Sequence, residues 1–195
     1  MWAETSVDEL RATIQTALES RDSIVRESVR EWIREAQDNE TLALLYRLTD
    51  EAWDRIDPRL ESKETCALIR RYLLQCIRED PQNSIALPRY EAAGELEAWF
   101  DHLASKGGTQ EILQDVSGAV TDLFLTSDDE VRCAIETGFL EHVLEQDRLR
   151  GWFSHWANNE QLQDAWRRAL EWGQAHPDYM KGLRERLRAL QSHEE

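Results

Sequence analysis

From Glu111 to Phe124 the apolar residues Ile112, Leu113, Val116, Ala119, Val120, Leu123 and Phe124 return every three or four positions, the repeat of a helix with one face turned to a core. Glu111, Asp115 and Asp122 fall on another face. The same repeat runs through most of the chain, and only 8 Gly and 4 Pro are present to make the turns of a sheet. With 41 % hydrophobic and 32 % charged residues the chain can build a core, so disorder is excluded. The expected fold is all-α: about ten short antiparallel helices stacked as helical hairpins, HEAT-like or as an irregular bundle.

Ser6 with Glu9 makes a capping-box pattern for a first helix that turns Leu10, Ile14 and Leu18 inward. Asp22 begins a second, burying Val25, Val29, Trp32 and Ile33 under a charge-balanced outer face. Leu42, Leu45, Leu48, Ala52, Trp53 and Ile56 mark a third that ends before Asp57-Pro58. A fourth runs from about Glu61 to Arg78, a fifth from about Arg89 to Ser105, where Gly107-Gly108 stops it. Thr109 and Ser127 are the expected caps of the next two. In the second of these Val131, Ala134, Ile135, Gly138, Phe139 and Leu144 form the buried set, leaving Asp129, Glu130, Glu136, Glu141 and Glu145 to solvent. Further helices are expected from about Leu149 to Trp156, Glu160 to Gln174 and Pro177 to Leu190, followed by a frayed tail from Gln191 to Glu195. Residues 1–195 read as a single helical domain; the alternative is two subdomains meeting near 80–88, at the turn-rich Asp80-Pro81-Gln82-Asn83.

Charge is unevenly spread. Between Glu91 and Asp147 stand 14 acids against two bases, Lys106 and Arg132, so this segment carries -12 of the formal -16. A pI near 4.7 excludes nucleic acid and anionic membrane as direct ligands, since both attract Lys and Arg. No apolar run approaches the roughly 18 residues that span a bilayer. The start, Met1-Trp2-Ala3-Glu4-Thr5, lacks the basic and apolar pattern of a secretory signal, and a cytoplasmic location is expected. Cys66, Cys76 and Cys133 form no C-x-x-C pair and read as reduced, mostly packed thiols.

Catalytic signatures are missing. There is no H-E-x-x-H, G-x-S-x-G or phosphate-binding glycine loop. A di-metal helical site would use Glu-x-x-His, but the residues three before His102, His142, His155, His176 and His193 are Trp99, Phe139, Trp152, Gly173 and Leu190. His142 and Glu145 show the reversed order, which is common on polar helices. No glycine-rich turn exposes Cys133 as a nucleophile. The chain is therefore expected to be no enzyme and to need no cofactor or metal. The eight tryptophans serve first as core filler; among them Trp99 and Trp152 are candidate anchors at the rim of an interface.

Asp128-Asp129-Glu130-Val131-Arg132 followed by Ala134-Ile135 has the form of a capped HEAT-type helix start, with an Arg available to bond a neighbouring element. From there through Gly138-Phe139-Leu140-Glu141 the sequence resembles a family of acidic, all-helical bacterial immunity proteins of polymorphic toxin systems. The likeness extends loosely back to Tyr90-Glu91-Ala92-Ala93 and forward through Trp166 and Trp172. It implies an antitoxin-like inhibitor of a cognate, basic toxin or effector domain, with no catalytic residues of its own. The charge leads to the same expectation without it: a cationic protein partner met through Asp115, Asp122, Asp129, Glu130, Glu136 and Glu141. The competing expectation is a HEAT-like scaffold or adaptor whose acids only confer solubility.

Overall fold

The computed structural model describes residues 6–83, 85–107, 109–177, Tyr179 and Gly182. The fold is all-α, with one pair of two-residue strands among the described residues. The chain divides into two compact units, Met1–Ala92 and Ala93–Glu195, with the boundary inside the fifth helix.

The first unit holds α1 (Val7–Glu19), β1 (Ile24–Val25), α2 (Arg26–Glu35), α3 (Asn39–Glu51), a 3-10 turn at Trp53–Arg55, β2 (Ile56–Asp57) and α4 (Ser62–Glu79). The capping box of α1 forms as its sequence directs, Glu9 N–H donating to Ser6 Oγ and Ser6 N–H to Glu9 Oε2. α3 packs against both α1 and α4. Ile14, Val29, Leu42, Leu45, Leu48, Leu73 and Ile77 are buried between these helices, and Tyr46 stacks on Tyr72 at 5.0 Å. The Tyr72 hydroxyl accepts from the Leu87 N–H at 3.0 Å, so the one polar atom of that buried ring is satisfied.

Two expectations fail in this unit for one reason. Asp22 does not begin a helix, and the third helix does not reach Ile56: Ile24 and Val25 pair in parallel with Ile56 and Asp57. Both segments are extended because they hydrogen-bond to each other across more than thirty residues. Val25 and Trp53 are consequently exposed, at 57 % and 51 %, and Arg59 sits over the Trp53 ring, 4.1 Å from its centroid.

The second unit comprises α5 (Arg89–Ser105, whose first turn lies before the boundary), α6 (Gln110–Thr126), α7 (Asp129–Ile135), a π-helical turn (Glu136–Leu140), α8 (Glu141–Leu144), α9 (Asp147–Arg150), a 3-10 segment (Gly151–Asn158) and α10 (Gln163–Ala175). Its core is aromatic. Phe139 and Phe153 both lie 5.8 Å from Phe100, and Trp156 reaches 5.8 Å from Phe153 and 4.9 Å from Phe124. The buried Trp156 indole donates to Thr121 Oγ1 at 2.7 Å. Asp128, not Ser127, caps α7 by accepting from the Val131 N–H. Thr109 Oγ1 donates to the Leu103 carbonyl at the end of α5, so it closes that helix and does not cap α6 with its side chain. Of the helix expected over Pro177–Leu190, all but Pro177, Tyr179 and Gly182 lies outside the described residues, as do the Met1–Thr5 start and the Gln191–Glu195 tail.

One device recurs in both units: among the described residues, five arginines satisfy the open carbonyls at helix C-termini. Arg55 donates to Ala17, Leu18 and Ser20, Arg71 to Ile33 and Ala36, Arg89 to Ile77 and Arg78. Arg132 does the same for Phe124 and Leu125, and Arg150 for Leu144 and Glu145. A guanidinium suits the position because the last carbonyls lack intrahelical donors and carry the negative end of the helix dipole.

Candidate acidic interface

α6 and α7 position the exposed acids. On α6 the buried side is Leu113, Val116, Val120, Leu123 and Phe124, and Glu111, Asp115 and Asp122 are exposed on the side away from it. Their separations of four and seven residues place the three within about 40° of one another around the axis. The chain then turns at Ser127, and Asp128, Asp129 and Glu130 stand exposed at the start of α7, where the helix dipole favours negative charge. Gln110 to Ile135 thus contains six acids and one base, Arg132. That base is largely committed elsewhere: its Nε donates to the Phe124 carbonyl at 3.0 Å, while Nη1 lies 3.5 Å from the fully exposed Asp129 carboxylate.

The other predicted acids are turned differently. The Glu136 side chain is only 13 % exposed and takes both arms of the Arg168 guanidinium on α10, at 2.6 and 2.7 Å. Glu141 is half-buried, and Glu145 is buried, its Oε2 lying 3.5 Å from His142 Nδ1. The expectation that Glu136, Glu141 and Glu145 face solvent is therefore corrected. The cause is the π turn, in which the Glu141 N–H reaches back five residues to the Glu136 carbonyl. The extra residue moves the buried register from the expected Gly138, which is half-exposed, to Leu140 and Val143. α10 then packs along α8 and the π turn, bringing Arg168, Trp172 and His176 toward these carboxylates. Burial pushes the Glu141 carboxyl up to about 7, nearby Glu136 adds to the push and His176 opposes it.

Trp99 and Trp152 are both half-buried. The Trp152 ring meets Phe100 edge-on at 6.5 Å, its carbonyl accepts from Ser117 Oγ at 2.8 Å, and it lines a shallow groove together with Lys106 and Arg148. Arg148 is ion-paired there with Asp101, so the surroundings of Trp152 are polar at the groove and apolar behind. The Cys76 thiol is buried, which pushes it up to about 11, whereas Cys133 is exposed, against the expectation of packed thiols. Sequence reasoning missed the cluster His142, Trp172, His176 and Tyr179, in which Tyr179 stacks on His142 at 5.8 Å and Trp172 on His176 at 4.5 Å. The helical spacings of Trp172, His176 and Tyr179, four and three residues, were its trace in the sequence. Among the described residues no group of His, Cys, Asp and Glu is arranged to hold a metal ion, and no helix is long and apolar enough to cross a membrane.

Compared with known protein families, curated proteins and solved structures, the chain matches none.

Proposed function

We propose that the chain is an inhibitor of the immunity-protein type, which binds a cognate basic toxin or effector domain through the acids of α6 and α7 and performs no chemistry of its own. The observation that carries this reading is the exposure of Glu111, Asp115, Asp122, Asp128, Asp129 and Glu130 on two consecutive helices whose one base caps α6. Glu111 and Asp115 stand four residues apart on one helix face, a spacing at which like charges repel, and a cationic partner would offset that repulsion. Opposed charge also raises association rates from about 10⁵–10⁶ to as much as 10⁸–10⁹ M⁻¹s⁻¹ at low salt, as neutralisation of a toxin demands. Glu136 and Glu141 leave the contact set, because α10 already engages or covers them.

The test asks first whether a large toxin gene with a variable C-terminal domain lies immediately upstream, and then pairs this chain with that domain. Co-expression should restore growth of cells producing that domain, and the variant carrying Lys at positions 115, 122, 129 and 130 should not, although its far-ultraviolet circular dichroism is unchanged. Rescue by the reversed variant equal to that of the unaltered protein would exclude the acidic surface. Absence of rescue together with binding of several unrelated proteins would favour the scaffold reading.

A further inference from the structure

The first unit contains an open groove of about 420 Å³ between the C-terminal half of α1, the connector that follows it, β1 and the first turns of α2. Thr13, Thr16, Ser20, Asp22, Ser23 and Trp32 are among its lining residues. Four of the five hydroxyl protons there are already committed, that of Ser28 being the exception: Thr13 donates to the Glu9 carbonyl at 2.8 Å, Thr16 to Ala12 at 2.8 Å, Ser20 to Asp22 Oδ2 at 2.8 Å and Ser23 to Arg55 at 3.3 Å. Their lone pairs are what they can offer a ligand, and Asp22 adds an exposed carboxylate. The lining has no Lys, Arg or His, and among the described residues no cation stands within ion-pair distance of Asp22. The nearby Arg55 guanidinium caps α1.

A groove that presents acceptors, one negative charge and an indole, and few donors, repels anions and selects a ligand that brings N–H groups and positive charge. We propose that it binds an alkylguanidinium group, the cation held by the Asp22 carboxylate and the Trp32 ring and the alkyl stem lying along Ala17 and Val25. Guanidinium fits better than ammonium because five coplanar N–H donors can reach several hydroxyl oxygens at once while the plane stacks on an aromatic ring. The group can belong to a small molecule or to an arginine of a protein chain. The inference stands apart from the acidic interface of the second unit, since it uses none of the same residues.

The test is a titration of the full chain with N-butylguanidinium, and separately with the blocked tripeptide acetyl-Gly-Arg-Gly-amide, followed by ¹H–¹⁵N spectra; the Trp32 indole resonance is assigned by Trp32→Phe. Both probes should shift that resonance and the amides of Thr16 and Ser20. Asp22→Asn should weaken binding by about tenfold or more while the remaining resonances stay in place. Tighter binding of the tripeptide identifies a protein arginine as the source, and equal or tighter binding of butylguanidinium a small molecule. Glucose shifting the same resonances as strongly, unchanged affinity in Asp22→Asn, or no shift with either probe would overturn the assignment.

Discussion

Arg89 shows how much of this protein's stability is held by single guanidinium groups. It is 9 % exposed, its Nε donates to the Ile77 carbonyl at 2.8 Å, and its own N–H donates to Asp80 Oδ1 at 2.9 Å, which fixes the left-handed Asp80 that ends α4. Arg89→Ala strands buried carbonyls and should lower unfolding free energy by about 2 kcal/mol or more in urea titrations. Arg89→Lys should recover only part of it, because an ammonium cannot fork to two carbonyls. Glu141 makes a pH-dependent contribution of opposite sense. Its carboxyl is raised from 4.5 to about 7 by burial first and Glu136 second, so the folded state holds the proton more tightly than the unfolded chain. Stability from this group is present at acid pH and is lost as pH rises from about 4.5 through about 7. Glu141→Gln should flatten the dependence of the urea midpoint over that window and raise the midpoint at pH 8; a midpoint that falls equally at both ends would show that the carboxyl is not held protonated.

At the scale of elements, close packing of α10 on α8 rests on Gly173. A Cβ there would stand 2.7 Å from the Glu145 nitrogen and 2.9 Å from its Cα, both backbone atoms that cannot swing aside. Gly173→Ala should therefore cost about 1–3 kcal/mol by thermal or urea unfolding, against the gain that Gly→Ala gives in an open helix. α4, α5 and α6 were legible in the sequence because each runs 17 or 18 residues with a recurring apolar stripe, interrupted by the buried Glu97 on α5 and the buried Ser117 on α6. β1 and β2 were not, since what holds Ile24 extended is Ile56, and local spacing carries no record of that pairing. The acidic stripe of α6 could be read from spacing alone. Beyond Ile135 the reading failed because a uniform 3.6-residue period cannot anticipate a π turn, and the carboxylates after it rotate with the backbone. The Asp128 cap was legible in the HEAT-type start, where an acid caps the turn, although Ser127 was the cap expected for that helix.

For the whole molecule, charge acts against the fold as well as for the proposed contact. Residues 1–92 hold 19 acids and 13 bases, residues 93–195 hold 20 and 10, so repulsion is strongest in the second unit. Salt weakens attraction and repulsion alike, and which dominates is decided by the excess. Exposed ion pairs such as Arg47–Glu51 and Arg167–Asp164 contribute little each, while Glu111 and Asp115 stand one turn apart on α6 and Asp128, Asp129 and Glu130 follow one another at the start of α7, separations inside a Debye length that shrinks from about 30 Å at 0.01 M to about 10 Å at 0.1 M. The urea midpoint at pH 7 should thus rise between about 10 and 500 mM NaCl, where a protein held by surface ion pairs would lose stability. Lys at positions 115, 122, 129 and 130 removes four negative charges and adds four positive ones, so the same variant should both flatten this salt dependence and slow association with a basic partner. If it abolished partner binding yet left the salt dependence intact, the repulsion would lie elsewhere in the chain, and relief of repulsion in α6 and α7 would not be what drives the encounter.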